Sequence, residues 1–221
     1  MSDGSAAPAR WKPRWSRHVG RFLAHVVWRT EVLDAHHVPA SGPVVVAANH
    51  IALLDGPLVH GVVPRPSHIL VKREMFRGPV GWVLHAAGQI PVDRSNGRPA
   101  LAAALAVLRR GDVVGIFPEG MRGRGDASGS RAGVAWLAVN SGAPVVPCAV
   151  LGTRRTGEST SALTPLRRRI VVAFGEPVHL EPAEGTSRRE AVARANDVLR
   201  EALSSHVRQA VERTGIELPD D

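Results

Sequence analysis

The sequence predicts an α/β fold in which helices flank a mostly parallel central sheet. Its length of 221 residues suits one domain with a substantial hydrophobic core. Its hydrophobic content of 44% argues against a disordered chain. From Pro43 onward, short β-branched runs alternate with segments of helical periodicity, which is the pattern of a parallel sheet covered by helices. A basic amphipathic helix before this region and a long helix after it complete the predicted fold.

The first predicted element is a helix from about Pro13 to Thr30, which follows a loose tail over residues 1–9. One broad face is apolar and holds Trp15, Val19, Phe22, Leu23, Val26 and Val27, and the opposite side holds Arg14, Arg17, Arg21 and His25 with Trp28 as an apolar exception. Such a helix can lie in a membrane surface, with its arginines on lipid phosphates. It can equally pack on the domain and leave its arginines in solvent. We divide the chain into residues 1–35, which carry this helix, and a single domain over residues 36–221.

The remaining elements follow from apolar runs and helical patterns. Strands are predicted at 43–48, 68–72, 89–92, 112–117, 144–151 and 169–174, and helices at 54–62, 78–87, 98–110 and 131–141. Loops are predicted at 120–131 and 152–166. The last helix begins near Ser187, where Ser187 and Glu190 can form a capping box, and continues to about residue 213.

The charge balance limits the classes of partner. The formal net charge is +8, and Lys12 and Lys72 are the only lysines among the basic residues. This excess favours nucleic acid, phosphorylated substrates or an acidic membrane leaflet. Aromatic residues make up only 4%, and no nucleic-acid-binding signature is present, so we expect no nucleic-acid partner.

Two further patterns concern the compartment. No run of 18 apolar residues predicts a membrane-spanning helix, and the first residues lack the pattern of a secretory signal. The single cysteine, Cys148, excludes an internal disulfide and fits a reducing compartment. Its apolar neighbours predict a buried, inert thiol.

Polar or charged residues follow four of the predicted strands. They are Asn49-His50, Lys72-Arg73-Glu74, Asp93-Arg94 and Pro118-Glu119-Gly120. Ligands of open α/β sheets bind beyond the carboxyl ends of the strands, so these residues predict one site at that edge.

His50 and Asp55 can form a general base held by a carboxylate. On one continuous helix the two side chains would point roughly 140° apart. They can meet if His50 lies in the turn before the helix and Asp55 lies in its first turns. The alternative is a capping Asn49, a core histidine and an aspartate near a helix N-terminus.

Four sequence blocks, spread over residues 41–155, resemble those of the lysophosphatidic acid acyltransferases. The blocks are Asn49-His50-x4-Asp55, Gly88-x-Ile90-Pro91-Val92-Asp93-Arg94, Phe117-Pro118-Glu119-Gly120-Met121-Arg122 and Val146-Pro147-Cys148-Ala149-Val150, and Lys72-Arg73-Glu74 and Arg131-x-Gly133 also match family positions. The third block usually continues Thr-Arg-Ser, whereas this chain has Met121-Arg122-Gly123.

The resemblance implies transfer of a fatty acyl group from acyl-CoA or acyl-ACP to the free hydroxyl of lysophosphatidic acid, giving phosphatidic acid for phospholipid synthesis. It implies His50 as the general base and Asp55 as its orienting partner, with no metal ion and no bound cofactor. No Gly-x-Ser-x-Gly elbow is present, which disfavours a covalent acyl-enzyme. The expected location is the cytoplasmic face of the cell membrane, as a peripheral protein held through residues 10–30.

The resemblance also implies the substrate-binding residues. Arg94 is the first candidate for the acceptor phosphate, followed by Arg122 and Lys72. Glu119 can bind a glycerol hydroxyl or, as we prefer, hold Arg94 or Arg122 in place. Gly120 and Asn49 complete the predicted site, although Asn49 can instead serve only to cap the turn.

Other acceptors and another class of protein stay open at this point. Glycerol-3-phosphate, another lysophospholipid or a glycolipid can replace lysophosphatidic acid as the acceptor. A non-catalytic protein that binds anionic lipids is the alternative outside the enzymes.

Overall fold

The computed structural model describes residues 7–93, 95–127, 132–180 and 185–221 and confirms the predicted α/β fold. The strands are β1 (Arg29–Leu33), β2 (Val44–Ala48), β3 (Ser67–Lys72), β4 (Ile90–Val92), β5 (Val113–Ile116), β6 (Val145–Leu151) and β7 (Arg169–Phe174). The α-helices are α1 (Lys12–Phe22), α2 (Asp55–Val62), α3 (Gly78–Ala86), α4 (Arg98–Arg109), α5 (Gly133–Ser141) and α6 (Arg188–Thr214). A π-helical turn, Leu23–Val27, continues α1.

The strands form one sheet in the order β1-β7-β6-β2-β5-β3-β4. All neighbours pair in parallel except β6 and β7, so β7 and β1 run opposite to the other five strands. In β2, Val45 lies opposite Val114 of β5 and Val145 of β6. The carboxyl end of β2 therefore lies between the carboxyl ends of β5 and β6, near the centre of one sheet edge.

Strand β2 is buried on both faces, as expected for a central parallel strand covered by helices. Val44, Val46 and Ala48 pack in one cluster with residues of α2, and Val45 and Ala47 pack in another with residues of α4 and α5. The continuous apolar run before Asn49 is thus explained by two hydrophobic layers, which fix the strand that presents the candidate site.

The predicted N-terminal helix is too long at its carboxyl end. Regular α-helix stops at Phe22, and residues 29–33 form β1, an edge strand that the sequence analysis missed. Trp28 has extended backbone angles and is buried, and its indole N–H donates to the carbonyl of Thr164. Parallel pairing with β7 stabilises the strand, and this pairing partner lies far away in the sequence.

Helix α1 packs on α2 through small residues. The buried positions of α1 are Pro13, Ser16 and Gly20. A Cβ atom built on Gly61 of α2 would lie 2.2 Å from the carbonyl carbon of Gly20, so the two backbones touch. The large apolar side chains of α1 therefore point elsewhere: Trp15, Val19 and Phe22 are exposed, as are Trp11 directly before α1 and Val26 in the π-helical turn.

The predicted C-terminal helix is confirmed with its capping box. The Ser187 side chain accepts from the Glu190 N–H, and the Glu190 carboxylate accepts from the Ser187 N–H. None of the helices in the described part of the chain combines the length and the apolar composition needed to cross a membrane.

Candidate active site

His50 and Asp55 lie where β2 ends and α2 begins. His50 is in the connecting turn, and Asp55 is the first residue of α2. The predicted contact is present, with His50 Nδ1 2.8 Å from Asp55 Oδ2. Because a carboxylate only accepts, Nδ1 carries the proton, and the lone pair of the neutral ring lies on Nε2. The catalytic roles of the two residues stay a prediction.

The Asp55 carboxylate is held by four donors. Oδ2 also accepts the backbone N–H groups of Ile51 and Ala52, at 2.7 and 2.8 Å. Oδ1 accepts the hydroxyl of Thr153 at 2.7 Å. Asp55 is fully buried, so these bonds replace the hydration that its charge would have in water. The carboxylate is thereby fixed in one orientation towards the imidazole.

The imidazole of His50 is held on its face as well as at its edge. The ring stacks on Phe117, with centroids 4.4 Å apart and planes 28° apart. The His50 carbonyl accepts from the Gly123 N–H at 3.0 Å, which ties the turn to the loop after β5. The side chain keeps 16% of its surface exposed, so a reactant can reach the ring.

Glu119 lies beside the same turn. Its Oε1 accepts the backbone N–H of His50 at 3.4 Å. Burial raises the pKa of Glu119 to about 7, and the nearby charges of Asp126 and Asp55 act in the same direction, whereas backbone donors from His50 and Ala127 oppose the rise. The carboxyl group can therefore exchange a proton near neutral pH.

Asn49, which directly precedes His50, is fully buried. Its amide nitrogen donates to the carbonyls of Gly125 and Val150, and its amide oxygen accepts the Val150 N–H at 2.7 Å. These bonds join the end of β2 to β6 and to the loop after β5. The side chain has no solvent-exposed surface through which to reach a ligand, and its bonds go to β6 and the loop after β5 rather than to the turn that it was expected to cap.

The remaining predicted site residues that the structure describes lie along the same edge. Gly120 ends the turn that begins at Phe117 and has φ +67, a conformation that favours glycine. Arg122 is half-buried in the loop that contacts His50. Lys72 is half-buried at the end of β3, which β5 separates from β2. Arg94 and Arg131 lie outside the described residues.

Thr153 and Arg154, which follow β6, also belong to this site, and the sequence analysis did not predict them. Thr153 donates to Asp55, and buried Arg154 donates to the carbonyl of Gly123 and to the side chain of Asp221. Both fall in the segment predicted as a loop over 152–166. The sequence held one signal for them, since Thr153 and Arg154 come two and three residues after the predicted strand 144–151, close to a strand end like the other site residues.

The structure also describes the single thiol and the side chains that could bind a metal ion. Cys148 is fully buried, and burial raises the pKa of its thiol, so the nucleophilic thiolate is disfavoured. In the described ranges, no group of three or more His, Cys, Asp or Glu side chains could hold a metal ion.

Chemically, the site offers the oriented imidazole of His50, which can take a proton at Nε2. The carboxyl group of Glu119, which titrates near neutral pH, lies beside it.

Comparison of the sequence with known proteins finds related acyltransferases, and three of them are described here. A 1-acyl-sn-glycerol-3-phosphate acyltransferase of Bacillus subtilis (strain 168) is 28% identical over 176 residues, which cover 78% of this chain and 85% of that protein. The protein of that name from Borreliella burgdorferi is 35% identical over 127 residues, covering 55% and 51%. The human alpha form is 35% identical over 136 residues, covering 57% and 48%. The chain thus spans about half the length of the last two relatives.

A solved structure has the same fold. The crystal structure of the 1-acyl-sn-glycerophosphate (LPA) acyltransferase PlsC from Thermotoga maritima matches with a TM-score of 0.67 at 22% identity, covering 90% of this chain and 79% of that one. The family model named Acyltransferase matches residues 29–151, more than half of the chain and the span that holds the His50–Asp55 pair. The chain therefore belongs to the acyltransferase family, as its four motifs predict.

Proposed function

We propose that this chain transfers a fatty acyl group from an acyl thioester to the free hydroxyl of lysophosphatidic acid, producing phosphatidic acid. The observation that carries the proposal is the 2.8 Å contact between His50 Nδ1 and the buried Asp55 carboxylate, at the sheet edge where α/β enzymes bind ligands. The acceptor is supported by the three relatives described above, each of which is named a 1-acyl-sn-glycerol-3-phosphate acyltransferase. Either acyl-CoA or acyl-ACP can serve as the donor.

In the proposed reaction, Nε2 of His50 takes the proton of the acceptor hydroxyl as its oxygen attacks the thioester carbonyl. The ester C–O bond forms, the C–S bond breaks, and the departing thiolate takes a proton from the imidazolium. Asp55 keeps the ring in the reactive tautomer and stabilises its positive charge. Direct transfer without an acyl-enzyme is favoured because Cys148 is buried with a raised pKa.

The acceptor phosphate is proposed to bind at the same edge. Arg122 and Lys72 are suited to it by charge and by their positions in the loop after β5 and at the end of β3. Arg94 remains the first candidate from its motif. Glu119 and Gly120 form the turn beside His50, and a neutral Glu119 carboxyl could donate to a glycerol oxygen.

We also propose that residues 10–30 hold the protein on an anionic membrane surface, at the cytoplasmic face of the cell membrane. Support comes from the exposed apolar stripe of Trp11, Trp15, Val19, Phe22 and Val26. The arginines Arg14 and Arg21 are exposed beside it. This pattern suits an interfacial helix better than one whose apolar face packs on the domain.

The test of the catalytic proposal is thioester release measured over a panel of donors and acceptors. His50→Ala should lower turnover by about 10²–10⁴-fold, because general-base catalysis is lost. His179→Ala changes an exposed histidine outside the site and serves as the matched control. Turnover near that of the unmodified protein in a folded His50→Ala variant would remove His50 from the mechanism. Preference for glycerol-3-phosphate or another lysophospholipid would change the acceptor but not the base.

A further inference from the structure

Helix α3 is an apolar helix that lies at the protein surface. Gly78–Ala86 contains no charged residue, yet Val80 is 53% and Trp82 72% exposed. At about 100° per residue, Trp82, Pro79, Val83 and Val80 follow one another around an arc of roughly 160°. All four are exposed, whereas Gly81 on the inner side touches the backbone of Phe76. A helix without charged residues is normally buried, so this exposed arc indicates an interaction surface.

The exposed arc of α3 adjoins the apolar stripe of α1. The Lys12 ammonium donates to the carbonyl of His85 at 3.1 Å, and the Trp15 indole N–H donates to the carbonyl of Ala86 at 3.2 Å. Both carbonyls belong to the last turn of α3. Trp15 is itself a member of the α1 stripe and remains partly exposed. The apolar stripe of α1 therefore reaches the carboxyl end of α3 at Trp15.

Charge around this surface favours an anionic partner. Residues 10–30 contain six lysine and arginine residues and no acidic residue. Exposed Arg73 and Arg77 precede α3, with Glu74 as the acidic residue between them. Tryptophan and aliphatic side chains bordered by arginines are the composition of elements that lie in a membrane interface.

We propose that α3 is a second membrane contact and that α1 and α3 together form one docking surface for an anionic lipid bilayer. The inference rests on the proposed membrane association of α1 and extends it to a helix of the catalytic domain. Helix α3 follows the carboxyl end of β3, at the sheet edge shared by Lys72 and His50. Docking through α3 brings the bilayer towards the edge at which a lipid acceptor must arrive.

The experiment is sedimentation of the full chain with vesicles of phosphatidylglycerol and phosphatidylethanolamine, and with phosphatidylcholine vesicles as the neutral comparison. Val80→Glu and Trp82→Ala are compared with Val198→Glu, which makes the same change at a 50% exposed valine on α6. We expect each α3 variant to weaken binding to the anionic vesicles by roughly tenfold, and Val198→Glu to bind like the unmodified chain. Circular dichroism and gel filtration establish that each variant is folded.

Phe22→Glu, on the α1 stripe, separates this inference from the proposal on which it rests. If Phe22→Glu loses binding and both folded α3 variants keep it, α1 alone contacts the membrane and the inference is wrong. If Phe22→Glu also binds normally, the proposed membrane role of α1 fails too. Equal losses in Val198→Glu, or a lipid-independent dimer that Val80→Glu dissociates, would each overturn the assignment of α3. Binding to an acidic carrier protein through α3, with vesicle binding unchanged, would also overturn it.

Discussion

Replacing Thr153 with valine tests the support of the His50–Asp55 pair. The side chain keeps almost the same shape, but the hydroxyl that donates to Asp55 Oδ1 at 2.7 Å is lost. Thr153 is 2% exposed and Asp55 is fully buried, so bulk water cannot easily replace that donor. Oδ2 keeps its three donors, whereas Oδ1 loses the Thr153 hydroxyl.

The size of the effect follows from leaving a charged acceptor unpaired. An unsatisfied buried acceptor costs about 1–3 kcal/mol, and a carboxylate belongs at the upper end of that range. We therefore expect the free energy of unfolding of Thr153→Val to fall by about 2–3 kcal/mol at pH 7. We also expect kcat to fall by roughly tenfold, because a less firmly held Asp55 orients His50 less well.

Urea unfolding followed by circular dichroism measures the stability, and thioester release measures kcat. Thr153→Ser is the matched control, since it keeps the hydroxyl and loses only a methyl group, which costs about 1 kcal/mol. The serine variant should retain most of kcat. If the valine and serine variants have the same free energy of unfolding and the same kcat, the hydroxyl does not support the His50–Asp55 pair, and the reasoning is refuted.

Two further predictions concern Glu119 and the contact between α1 and α2. Burial raises the pKa of Glu119 to about 7, so the folded chain keeps a proton that the unfolded chain releases above about pH 4.5. Stability should therefore fall as the pH rises from 5 to 7, by at most ~1.4 kcal/mol per pH unit from this group. Glu119→Gln should flatten that dependence in urea unfolding, and parallel profiles would contradict it. Gly61→Ala should destabilise the fold by about 1–3 kcal/mol, since its Cβ would collide with Gly20. Gly56→Ala on the same helix, where the nearest atom is 3.9 Å away, should be tolerated; equal melting temperatures for the two variants would refute the packing argument.

The sequence by itself determined most of the fold and the centre of the candidate site. Six predicted strands and the helices between them are present within a few residues of their predicted bounds, because their periodicity is a local property. The local sequence allowed the contact of His50 with Asp55, which lie five residues apart across one turn, and the resemblance to the family selected this pair over the alternative. The four motifs identified the acyltransferase family without any contact information.

Only the tertiary structure decided what surrounds these elements. Thr153 donates to Asp55 across 98 residues of sequence, and this bond exists because β6 lies beside β2. Edge strand β1 depends in the same way on pairing with β7, a partner that no local pattern reveals. The glycine contact with α2 decided that the large apolar side chains of α1 face solvent. These features depend on which elements become neighbours in the folded chain. A local sequence pattern does not reveal a neighbour that lies far away in the sequence.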